Sequence, residues 1–154
     1  PLAWAQHAHR PYSGQQDRQI KALSDEEVSQ YLAGAGMGYA RPAELNRFPG
    51  PMHALELADQ LELTAEQRSA IRALMDAHKA QARAIGTKLV DAERHLDRLF
   101  HASDVSADAL ARAVAAAAAL EGEYRLSHLE THRRLRPLLT EAQIARYEAL
   151  RGYR

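Results

Sequence analysis

The chain contains no cysteine, which excludes a disulfide framework, a thiol nucleophile, iron–sulfur ligation and thiolate zinc sites. The absence does not identify a compartment, because a cysteine-free chain tolerates any redox environment. Aromatic residues are scarce at 6%, although hydrophobic residues reach 46%. Much of that hydrophobic share is alanine, which favours helix but supplies little core volume. Neither sign of charge is in excess, since 20 Lys+Arg balance 20 Asp+Glu. The chain as a whole is therefore not an electrostatic nucleic-acid binder. No run approaches the roughly 18 consecutive apolar residues of a membrane-spanning helix. A nucleophile elbow, a P-loop and a dinucleotide fingerprint are also missing. These gaps argue against an enzyme.

What is present is helical patterning over 154 residues, a length that suits one domain. Residues 1–23 read as the remnant of a signal peptide followed by a flexible polar arm from Gln6, since Ala3-Trp4-Ala5 fits the small-x-small rule of a signal-peptidase site. An accidental match in an alanine-rich chain is the plainer alternative. Ser24-Asp25-Glu26-Glu27 is a capping box that starts a short helix, stopped at Gly34. Gly34, Gly36 and Gly38 form a permissive loop without the spacing of a phosphate cradle. Pro49 and Pro51 enforce a turn, and a short amphipathic helix is expected from Met52 to Leu61.

Thr64 and Gln67 make the next capping box, and no proline follows until Pro137. Ile71, Leu74, His78, Ala82, Ile85, Leu89 and Leu96 recur at three- and four-residue spacing, which predicts one helix of about 35 residues. After a loop capped at Ser103 or Ser106, a second helix of about 30 residues runs to Pro137. Leu139-Thr140-Glu141-Ala142-Gln143 then repeats the L-T-x-x-Q form of residues 63–67 and opens a last short helix. The expected architecture is all-α, a long antiparallel helical hairpin with short flanking helices. The alanine-rich stripe exceeds what one hairpin buries, so a twofold dimer is the economical partner.

Two L-T-x-x-Q boxes flanking a long helical hairpin resemble the Spy/CpxP family of periplasmic chaperones. That family also includes zinc-resistance-associated proteins and cobalt–nickel sensors. The resemblance covers about Ala43 to Tyr153, with Leu63, Thr64, Gln67, Leu139, Thr140 and Gln143 as its motif. The stretch from Ala43 through Pro51 to Ala58 is similar to a subgroup described as periplasmic heavy-metal sensors. The resemblance implies a periplasmic, cradle-shaped homodimer over 24–154, without ATP or a catalytic site. It also implies binding of unfolded clients, or reporting of stress to a membrane sensor or anti-sigma partner. A departure is charge: this chain is neutral overall, with acids gathered at 54–66 and seven arginines against three glutamates at 125–154.

The sharpest chemical signal is His128-x-x-x-His132, whose i,i+4 spacing points two imidazoles the same way. His53 with Glu56 at i,i+3 is the best candidate to complete a site for Zn²⁺, Cu²⁺, Ni²⁺ or Co²⁺. No metal is required for folding at this length. The plainer alternative places His128 and His132 partly exposed on an arginine-rich face. His78 and His95 stand singly and read as solvated or interfacial. Tyr31, Tyr39, Phe48 and Met52 would either line a flexible rim for clients, with Arg125, Arg133 and Arg136 tuning capture, or simply pin the arm to the hairpin. The expected function is ATP-independent holding of unfolded proteins in envelope or metal stress. The alternative is a metal sensor or metal-binding resistance protein.

Overall fold

The computed structural model describes residues 11–103 and 105–154, and most of these are helical. Ala3-Trp4-Ala5, His7 and His9 lie outside the described residues. The order is α1 (Asp25–Ala33), α2 (Arg41–Glu44), α3 (Pro51–Glu56), α4 (Ala65–His101), α5 (Ala107–Leu135), a 3-10 turn at Arg136–Leu138, and α6 (Glu141–Leu150). Among the described residues no strand forms, and a lone bridge joins Ile20 to Leu23.

Capping chemistry sets the helix starts. Ser24, Thr64 and Thr140 each accept from the amide three residues on, and the side chain there returns the bond to the cap amide. Ser106 caps α5 by accepting from Ala109. Gly34 closes α1 at φ 68, a left-handed turn that glycine adopts without steric penalty. The 37 residues of α4 span about 55 Å and pack along α5 to make the hairpin.

The expected helix over 52–61 is shorter than its periodicity suggested, since α3 ends at Glu56. Beyond it the chain continues in turns, Leu61 N donating to Leu57 O and Leu63 N to Ala58 O, with Glu62 at φ 53. This path, reversed at Glu62, delivers both Leu61 and Leu63 to the core. The arm expected at 1–23 is anchored in its described part. Ile20 is buried, and the Lys21 amide donates to Asp97 on α4.

Two apolar clusters hold the fold. A lower one joins Ala54, Leu61, Leu63, Ile71, Leu74, Leu135, Leu139, Ile144 and Tyr147, drawn from α3, α6 and the adjoining ends of α4 and α5. An upper one joins Ile20, Tyr31, Ala82, Ile85, Leu89, Val90 and Tyr124. Between them lies a buried polar layer of His78, Ser127, His128, Thr131 and His132. Above the upper cluster, Ala113 and Ala117 are the buried positions of α5, and their small side chains permit close approach. Each apolar cluster gains stability by area removed from water, about 25 cal/mol per Å².

Candidate functional site

Each letter of the repeated motif has a structural task. Leu63 and Leu139 are buried in the lower cluster, and Thr64 and Thr140 cap α4 and α6. The glutamines do more than complete the boxes. Gln67 Nε2 donates to Gln143 Oε1 at 2.8 Å, and Gln143 Nε2 returns the bond to Gln67 Oε1 at 2.9 Å. The second proton of Gln67 goes to Leu138 O, and that of Gln143 to Leu61 O. Each Oε1 also accepts from its own cap amide, Thr64 or Thr140. Both amides are thereby fully satisfied, and two helix starts 76 residues apart are locked face to face.

Above this clasp stands the histidine layer. His78 Nε2 lies 3.0 Å from His128 Nδ1, on facing turns of α4 and α5. Their outer nitrogens, His78 Nδ1 and His128 Nε2, have no protein partner. Whichever ring donates, the neutral pair leaves one N–H and one lone pair unused. His132 Nδ1 donates to Phe48 O at 2.8 Å and lies 3.6 Å from Glu44 Oε2. Gly50 packs against this ring so closely that a Cβ there would meet His132 Cε1 at 2.9 Å.

Burial, joined by the neighbouring imidazoles, depresses the His128 pKa to about 4, and burial and His132 lower that of His78. The unfolded chain would take up these protons near 6.5 and the folded chain would not. Stability should therefore be complete above that pH and fall as pH drops below it, for His128 from 6.5 towards 4 by up to about 1.4 kcal/mol per unit, with His78 adding to the decline in the same direction. Urea melts at pH 7, 6 and 5 check this against a His78→Gln/His128→Gln variant. A wild-type decline no steeper than the variant's would contradict it.

Glu44 anchors the proline turn. Its carboxylate accepts from Tyr147 and Tyr153 and lies 3.5 Å from Arg151 Nε. Glu44 and His78 were not among the site residues expected from sequence. The signal for His78 was its place in the stripe Ile71, Leu74, His78, Ala82, Ile85, where solvated residues do not belong. Glu44 carried no such signal.

A cavity of about 640 Å³ opens between these elements, lined by the 33–38 loop, α2, α3, and the faces of α4 and α5 that carry His78, His128 and His132. His53 and Met52 also line it. His53 is joined to Glu56 by a 2.8 Å bond, so the expected i,i+3 pair forms. The residues expected to tune clients are dispersed. Arg136 lies over the Phe48 ring, Arg125 over Tyr39, and Arg133 is clamped to Glu130.

A family model described as LTXXQ motif family protein matches residues 51–151. The chain belongs to the LTXXQ motif family. This is the family of Spy/CpxP and ZraP-like periplasmic proteins, helical and non-enzymatic. The LTXXQ match begins at α3 and ends just after α6, so it takes in the clasp and the histidine layer. No curated protein and no solved structure matches the chain. No helix among the described residues is long and apolar enough to cross a membrane.

His53, His128 and His132, expected from sequence as metal ligands, are each engaged with a protein partner. Among the described residues no three His, Asp or Glu side chains are grouped to hold a metal ion. His128 is turned to His78, His132 to Phe48 O, and His53 to Glu56.

Proposed function

We propose that this LTXXQ protein works in the periplasm as an ATP-independent holding protein for unfolded chains, as a homodimer. The observation that supports the reading is a groove of about 330 Å³ lined by α4 and α5 alone. Leu74, Ala77, Ile85 and Leu126 supply its apolar surface, and Gln81, Glu123, Glu130 and Arg134 its polar rim. Leu126 is 62% exposed and Val114, just over three turns earlier on α5, is 48% exposed. Apolar area bounded by mixed charge suits extended apolar segments of varied sequence, because burial contributes energy without directional demands. Release then needs no nucleotide, since folding of the client removes its apolar surface.

The test is suppression of aggregation of a chemically denatured client at sub-stoichiometric protein. Absence of suppression would sink the proposal. Leu126→Glu should raise the protein concentration needed about tenfold, because burying a leucine contributes about 1.5 kcal/mol at the low end of its range. Metal sensing through His53, Glu56, His128 and His132 is the competing reading, and it requires these groups to leave their present bonds. Calorimetric titration with Zn²⁺, Cu²⁺, Ni²⁺ and Co²⁺, run beside His128→Ala/His132→Ala, decides between them. Micromolar binding lost in that variant would favour metal sensing.

A further inference from the structure

We propose that the cavity between the 33–38 loop and the hairpin binds an amphiphilic organic anion, a carboxylate on an apolar body. Its volume of about 640 Å³ falls within the usual range for small-molecule sites, roughly 300–1,000 Å³. The wall is apolar over most of its extent. It includes Ala35 and Leu45 together with Met37, Met52 and Met75, which are all the methionines of the chain. Flexible thioethers conform to ligands of varied shape.

Charge selects the ligand. Arg41, Lys79 and Arg151 line the cavity, and Glu44 is its sole carboxylate. Three cations against one anion leave the wall at +2, in a chain whose formal net charge is +0. Glu44 is already occupied by the hydroxyls of Tyr147 and Tyr153 and by Arg151. Among the described residues, Arg41 and Lys79 have no carboxylate oxygen within 4.0 Å. Both are therefore available to a ligand. Burial holds His78 and His128 towards the neutral form, so these two rings contribute no charge of their own to the wall. An apolar concavity with a positive wall accepts an anionic head and an apolar tail, and it repels a divalent cation.

Dodecanoate is the probe, with dodecanol and dodecyltrimethylammonium as neutral and cationic controls of equal chain length. Calorimetry below the micellar concentration should show one dodecanoate per chain. Dodecanol should bind about tenfold more weakly, the equivalent of about 1.4 kcal/mol for loss of a charged partner at a partly desolvated site. The Arg41→Gln/Lys79→Gln variant should lose dodecanoate affinity to a similar extent and keep its melting temperature. Leu126→Glu, in the outer groove, should leave dodecanoate binding unchanged while impairing client holding, which separates the two sites. Equal affinity for dodecanol and dodecanoate would overturn the proposal. So would dodecanoate binding that survives Arg41→Gln/Lys79→Gln, or that is lost in Leu126→Glu.

Discussion

Replacing Gln67 by alanine is expected to lower the melting temperature by roughly 5–15 °C, the equivalent of about 2–4 kcal/mol. The substitution strips Leu138 O and the Thr64 amide of their partners, and it leaves Gln143 with half of its amide bonds unmade. Leaving part-buried polar groups without partners is more costly than losing the net value of the bonds themselves. An ordinary cap loss, Thr140→Ala, should cost only about 1 kcal/mol. A double-mutant cycle with Gln143→Ala isolates the clasp: the pair should couple by about 1 kcal/mol or more. Additive losses would mean that the two boxes act independently, as two unconnected helix caps would.

Gly86→Ala supplies the second large effect, and its sign is the point. In a helix interior alanine is better than glycine by up to about 1 kcal/mol, so propensity alone predicts stabilisation. A Cβ at Gly86, however, would sit 2.0 Å from the carbonyl oxygen of Tyr31 and 3.3 Å from the Tyr124 ring. The clashing atom is backbone, so α1 must lift from the hairpin. The expected result is a net loss of about 3 kcal/mol or more, with amide protection of residues 25–33 reduced ahead of the rest. Gly122→Ala is the internal control. It lies in α5 with nothing within 4 Å of a built Cβ, and it should stabilise by about 0.5–1 kcal/mol. Stabilisation by both substitutions would show that α1 does not rest on Gly86.

The hairpin was legible in the sequence because its signals are local. Caps at Ser24, Thr64, Ser106 and Thr140 act within four residues, and a proline-free stripe from Ile71 to Leu96 has a single interpretation. The end of α3 was not legible, since Leu57, Ala58 and Leu61 keep helical spacing while the backbone tightens into turns. The gathering of acids at 54–66 read as an acidic patch. In the fold Glu56 is hydrogen-bonded to His53, and Asp59 is paired with Arg68, so part of that charge is neutralised at once. The least legible features are meetings of distant residues. Gln67 reads as a finished capping box, with nothing to announce its bond to Gln143. His78 reads as an interruption of an apolar stripe until His128 is placed opposite. Gly86 reads as a weak point in α4 until the Tyr31 carbonyl occupies the space that a side chain would take.

The polar layer of His78, Ser127, His128, Thr131 and His132 divides what would otherwise be one continuous seam. Its consequence concerns how the molecule comes apart. Apolar contacts reinforce one another across a shared interior, and a stratum of imidazoles and hydroxyls interrupts that reinforcement. The half built on Ile20, Tyr31 and Tyr124 can loosen while the half clasped by Gln67 and Gln143 stays shut. Exchange of amide hydrogens should accordingly resolve two cooperative blocks, with their border one turn either side of His78.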